Sequence, residues 1–341
     1  MEQTQTSKRI EYIDALRGFT MMLVIMTHVA TWGLASDSYN HIFTVFRMPL
    51  FFFVSGFVFY KTNYVWNWSN SLKFLHKKLS VQIISPFLFF AAYVFVQNIN
   101  FIDGLIAESK VGYWFTLTLF EFFVIYLLFQ QVFRLLHVKD KWQDIILLGI
   151  GLIFYGVMRH KIIGHSTIVS ALGCIHWNKF IFFILGTRIR KYFEQFERLL
   201  DKTQIVLICI LVFFGLSLYP ALSYIHEYIQ SFVLAITGII VVFAGFRHYQ
   251  ETFSHSRRIG RIFQFIGRRT LDIYLIHYFF VFSGIASFFE DLNLQDAPFV
   301  SFIICVLVSM CVIAACLLVS QILRISPFLA RFLFGQKPQE K

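Results

Sequence analysis

The stretch YIDALRGFTMMLVIMTHVATW, residues 12–32, is apolar for the length of a bilayer crossing and yet holds Asp14, Arg17 and His28. A membrane helix needs about 20 mostly apolar residues. Further apolar runs follow near residues 41–60, 80–97, 113–134, 143–158, 168–187, 204–219, 227–246, 271–289 and 299–323. The composition agrees. Of 341 residues, 57% are hydrophobic, 44 are Phe and only 14% are charged, with a mean hydropathy of +0.67. Soluble domains carry about 25% charged residues. The expected fold is all-α: a polytopic integral membrane bundle of about ten transmembrane helices, one domain over residues 1–341 with spans from about 12 to 323 and short tails.

The net charge of +11 reads as membrane topology and not as nucleic-acid binding. With the N-terminus inside, the alternating loops place most Lys and Arg on the inner side, from Lys8 and Arg9 to Lys337 and Lys341. The outer loops keep Lys110, Arg159 and Lys161, while Arg17, Arg47 and Lys179 lie within or near spans. Inner loops rich in basic residues are the rule for membrane proteins, so both termini are expected to be cytoplasmic. Trp32, Trp66, Trp68, Trp114, Trp142 and Trp177 fall near span ends, where an amphipathic ring suits the headgroup zone. No small-residue cleavage pattern follows the first apolar run, so that helix is expected to stay. The longest inner loop, about 247–270, is basic and holds Gly260 and Gly267. It reads either as a surface drawn to anionic lipid or as one that binds a polyanionic cofactor.

Ionisable residues inside a span are costly and are functional candidates. Arg17 and His28 are eleven residues apart, close to three helical turns, so they share one face about 16 Å apart along the axis. Asp14 lies on the same face, three residues before Arg17, and can pair with it. The structural alternatives are an interfacial anchor for Asp14 and Arg17 and a helix-packing role for His28. In the second span, FRMPLFFFVSGF (46–57) carries Arg47, Pro49 and Ser55. Pro49 should loosen the helix, and Ser55-Gly56 permits close packing. In the fourth, YWFTLTLFEFF (113–123) carries Glu121, which needs a partner or a proton. Arg17, Arg47 and His28 are the candidates, and the sequence leaves the choice open. In the ninth, IGRRTLDIYLIHYFF (266–280) sets Thr270, Tyr274 and His277 on one face, with Asp272 near the inner end. Arg268 and Arg269 stand before that helix, where a phosphate would be welcome.

Several chemistries find no support. The five cysteines all fall in apolar stretches and read as packing residues, with no disulfide or zinc spacing. No zinc motif, phosphate-binding loop or G-x-S-x-G elbow is present, so no metal is expected.

Taken together, these segments resemble the membrane acyltransferase 3 family. YIDALRGFTMMLVIMTHV is similar to its first helix, marked by a basic residue, ten residues and His, here Arg17 and His28. FRMPLFFFVSGF resembles its second helix, YWF at 113–115 the start of its fourth, and GRRTLDIYLIH its late Gly-x-x-[Ser/Thr]…Tyr-Leu-x-His motif. One departure stands out. Members often carry two basic residues three apart before the third helix; here Lys77 and Lys78 are present, but Gln82 occupies the place of the second basic residue.

The resemblance implies an integral membrane acyltransferase, an O-acetyltransferase above all. It would carry acetyl from acetyl-CoA, as co-substrate, to a hydroxyl of a cell-envelope glycan, a lipid-linked acceptor or a similar molecule. It implies a multi-pass protein of the bacterial inner membrane whose other partners are membrane lipids, and a homo-oligomer is compatible with it. The catalytic set expected on this reading is His28 as base, with Arg17, Asp14 and Glu121. Arg268, Arg269, Lys77, Lys78, Tyr274 and His277 are expected to bind the donor, and Arg47 and Ser55 the acceptor. The developing oxyanion would be met by Arg17, or by Tyr274 or Ser55. The alternative class is a transporter or flippase of a lipid-linked glycan.

Overall fold

Glu11–His28 forms one unbroken helix, α1, extended by a wider π-type turn over Val29–Gly33. Arg17 and His28 therefore do share a helix. The computed structural model describes residues 10–34, 40–159, 167–218, 227–281, 285, 287–288 and 297–335. Lys8, Arg9, Lys161, Lys337, Lys341 and most of the expected ninth span beyond Val281 lie outside them.

The chain continues through α2 (Asn40–Phe59), α3 (Trp68–Leu79), α4 (Ser85–Val96), α5 (Phe101–Ile106), α6 (Trp114–Leu135) and α7 (Asp140–Arg159). Next come α8 (Thr167–Leu172), α9 (Phe180–Lys191), α10 (Phe193–Leu200), α11 (Thr203–Leu218) and α12 (Glu227–His248). The last are α13 (Arg258–Arg268), α14 (Thr270–Ile276), α15 (Pro298–Leu323) and α16 (Pro327–Phe334). No strand occurs among the described residues. The protein is an all-α membrane bundle.

Among the described residues, seven helical runs are long and apolar enough to cross a bilayer, or eight if α10 and α11, bent by 78°, count as one. Three of the ten expected spans are not continuous helices of that length: the seventh is α11, 16 residues that meet α10 at the 78° bend. The sixth is interrupted at Gly173, whose φ of +80° ends α8 before a 3-10 turn leads into α9. The ninth narrows after Ile276 into a 3-10 turn over His277–Phe279.

Two expected loops are ordered helix instead. The segment before the third span starts at Trp68, where the Asn67 side chain accepts the backbone N–H of Asn70 at 2.8 Å, the usual helix-starting device. From there α3 runs through a π-type turn at Ser80–Ile84 into α4. The basic segment near 247–270 contains α13, which packs along α1. That crossing is close: a methyl group on Gly18 would collide with the carbonyl oxygen of Phe263, and one on Gly267 with that of Asp14. Gly56 of α2 and Gly186 of α9 stand in the same relation to Phe183 and Phe53. Lipid tails are as apolar as side chains, so close backbone approach at small residues supplies much of helix association in a bilayer.

Polar clamps fix the ends. Arg188 on α9 binds Asp144 on α7 and, at 3.0 Å, the Tyr126 hydroxyl on α6. Lys110 is 5% exposed and donates to the carbonyls of Leu105, Ser170 and Ala171 at 2.9–3.1 Å. Burial pushes its pKa down; the three carbonyls compensate its lost hydration. It opens a tight turn in which Lys110, Val111 and Gly112 all have positive φ.

Candidate functional site

Four sequence-distant segments meet around a cavity of about 570 Å³. Arg17 and Thr20 come from α1, Phe51 and Ser55 from α2, Phe115 and Thr116 from α6, and Thr270 and Tyr274 from α14. At the end of the bundle where α1 begins, the cavity mouth is walled by Lys61 and by Lys73, Lys77 and Lys78 of α3. Among the described residues no acidic side chain belongs to the lining. Arg17 is held at the wall: its Nη2 donates to the Thr270 hydroxyl at 3.2 Å and its Nη1 lies 3.6 Å from Asp14. The Gln82 side chain lines the same cavity with a buried Oε1 that has no hydrogen-bond partner.

Aromatic rings close the inner end. Phe51 and Phe115 meet edge to face at 4.6 Å between centroids, and Phe115 lies 5.7 Å from Tyr274. The Tyr274 hydroxyl donates to the carbonyl of Gly112 at 2.9 Å and accepts the N–H of Phe115 at 3.2 Å. The start of α6 and the late Tyr-Leu-x-His segment are thus locked together.

One helical turn beyond Tyr274 lies a second, polar cluster that is not part of the cavity lining. His28 stacks on His277 at 5.2 Å and on Trp32 at 4.4 Å, with Tyr278 at 5.5 Å. His277 is fully buried. Its Nδ1 faces the carbonyls of Tyr274 at 2.8 Å and Ile273 at 3.1 Å. A carbonyl only accepts, so Nδ1 carries the proton and Nε2 keeps its lone pair. That Nε2 is buried without a partner. The Tyr278 hydroxyl donates to Gly112, as Tyr274 does. Gly112 has φ +101°, and a side chain there would strike the Tyr278 ring. Arg47 lies within electrostatic reach of His28 and Tyr278. Among the described residues no group of three His, Cys, Asp or Glu converges as a metal site.

The remaining expected residues lie elsewhere. Glu121 accepts a hydrogen bond from the Trp177 indole at 2.8 Å. Its partner is that indole and not Arg17, Arg47 or His28. Arg268 is exposed and Arg269 binds Asp272 at 3.2 Å; neither lines the cavity. Ser55 lines it, but its hydroxyl donates to its own helix at the Phe51 carbonyl, 2.8 Å away. Lys61 and Lys73 join the cavity, and Gly112 and Tyr278 the histidine cluster, without having been singled out. Gly112 had a signal, a glycine just before the YWF segment.

Asp272 anchors α14. It is 2% exposed and binds Arg324 at 2.8–3.0 Å through both carboxylate oxygens, with the Ser320 hydroxyl donating as well. Removing one partner of a buried ion pair costs about 3–5 kcal/mol. Asp272→Ala is therefore expected to lower the melting temperature in detergent by several degrees, and acid-free packing there would show as an unchanged melting curve.

The family model described as an acyltransferase domain matches residues 10–319, a range that holds α1, the cavity and both histidines. The chain finds no match among curated proteins or among solved structures. The match covers nearly the whole chain, the four segments that build the site included, and the chain belongs to this acyltransferase family.

Proposed function

We propose that the protein transfers an acyl group, acetyl in the first instance, from acyl-CoA to a hydroxyl of a cell-envelope glycan or lipid-linked acceptor. The observation that carries this reading is the cavity: five basic side chains and no acid among its described lining residues, and a wall at Tyr274 one helical turn from the stacked His28 and His277. Its size suits a small-molecule ligand. On this reading the mouth is cytoplasmic, as the distribution of basic residues favours, in an inner membrane. The donor's phosphates sit among Lys61, Lys73, Lys77 and Lys78, and its slender arm passes Ser55 and Thr116 toward Tyr274. The Phe51–Phe115–Tyr274 layer must part for the thioester to reach the cluster beyond. There the neutral His28 imidazole takes the proton of the attacking hydroxyl.

The donor assignment has a direct test. Reversing one charge, in Lys77→Glu or Lys78→Glu, is expected to weaken acetyl-CoA binding to protein in nanodiscs by about tenfold, or ~1.4 kcal/mol. Raising the salt should weaken wild-type binding as well. Calorimetry that finds unaltered affinity in both variants would place the donor elsewhere. Protein that binds no acyl-CoA but moves a lipid-linked glycan across vesicles would be a flippase.

A further inference from the structure

The two-histidine cluster contains a cation that no described residue balances. The Nε and Nη1 of Arg47 are buried and have no hydrogen-bond partner, and the guanidinium forms no ion pair with any described residue. Its electrostatic neighbours are His28 and the Tyr278 phenol. Two guanidiniums elsewhere in the bundle are compensated: Arg188 by Asp144, Arg324 by Asp272. An uncompensated buried charge is costly, so the fold bears a cost at Arg47 that none of the described residues relieves.

The alternative donors are already committed. Arg17 is tied to Thr270 and Asp14, and the Tyr274 hydroxyl gives its proton to Gly112. The Ser55 hydroxyl gives its proton to Phe51. Arg47 keeps two donor nitrogens open in the same cluster where His277 keeps an open lone pair. A hydrogen-bond donor and a hydrogen-bond acceptor left open together fit a ligand that offers a negative oxygen and an O–H.

Resting on the acyl-transfer reading, we infer that Arg47 is the catalytic residue that holds the oxyanion formed on the transferred acyl group. The acceptor oxygen attacks the thioester carbon, and its proton passes to the imidazole of His28. The carbonyl electron pair moves onto oxygen, where the N–H groups of Arg47 meet it. Collapse returns that pair, breaks the carbon–sulfur bond, and the departing thiolate takes the proton from imidazolium. The products are the ester and the free CoA thiol. An interaction realised only as charge develops accelerates the step without tightening ground-state binding.

The test uses membranes that contain the full chain and its native acceptor, with acetyl-labelled acetyl-CoA, alongside binding and melting of purified protein. Arg47→Met is expected to cut label incorporation at saturating donor by about 10²–10³-fold, and Arg47→Lys to recover part of it. Acetyl-CoA affinity should stay as in wild type, because the donor's phosphates bind in the other chamber. The Arg47→Met protein should melt no lower than wild type, since an unpaired buried charge has been removed; a packing role would predict a clear drop. Wild-type incorporation by Arg47→Met overturns the assignment, as does loss of donor binding in step with rate. Recovery of the full rate when more acceptor extract is added would assign Arg47 to a standing charge on the acceptor instead and also overturns it. If wild type itself incorporates no label, the acyl-transfer reading fails and this inference goes with it.

Discussion

His28→Ala is expected to lower acyl transfer by roughly 10²–10⁴-fold, the range that a positioned general base contributes, while donor binding stays as in wild type. The separation of chambers gives this prediction its content. His28 stands among His277, Trp32 and Tyr278, beyond the aromatic layer, and is not part of the cavity lining. Losing its ring therefore leaves Lys61, Lys73, Lys77 and Lys78 where they are. It also leaves no buried partner stranded, because the ring makes stacking contacts and His277 donates its hydrogen bond to carbonyls of its own helix turn. Thiol release and acetyl-CoA titration on the same preparation separate the two effects. Donor affinity that falls together with turnover would join the chambers into one and make His28 a binding residue.

The second large effect is structural. Gly267→Val is expected to prevent α13 from seating on α1, because the added atoms meet the backbone oxygen of Asp14 and not a side chain that can turn away. Overpacking a core costs about 1–3 kcal/mol, and a backbone obstacle lies at or above the top of that range. The consequence reaches the site, since Asp14 and Arg17 lie on the same turns of α1 and Thr270 follows Gly267 by three residues. Gly149→Ala is the control: a Cβ at Gly149 meets nothing within 4 Å, so it should melt as wild type or slightly higher. Equal melting temperatures for Gly267→Val and wild type would mean that α1 and α13 do not cross as closely as described.

Much of this architecture was legible in the sequence because two regularities survive folding. Apolar length marks a membrane crossing, and helical spacing keeps Arg17 and His28 on one face. The ninth span was less legible. Its apolar run continues past His277, but α14 narrows there as the imidazole turns back on the carbonyls of Ile273 and Tyr274. The start of α3 was hidden for the opposite reason: WSNSLKFLHKKL is too polar to read as a span, so Lys73 looked like loop charge and not like a cavity wall.

Partners far apart in sequence were not legible at all. Glu121 meets Trp177, 56 residues away, and Asp272 meets Arg324, 52 residues away. Nothing in local composition announces either pair. Arg268 and Arg269 show the converse case. Adjacency to the late motif suggested phosphate binding, but Arg269 turns to Asp272, three residues on, and Arg268 points out of the cavity. The basic wall of the cavity comes instead from Arg17, Lys61 and α3.

The most direct test of acyl transfer is a label count. Membranes carrying the wild-type chain or His28→Ala are supplied with acetyl-CoA labelled in the acetyl group, and label fixed in envelope material is measured against free CoA released. The account predicts that wild type fixes label in step with CoA release and that His28→Ala fixes almost none. Equal incorporation by the two, or none by wild type that binds the donor, would contradict it.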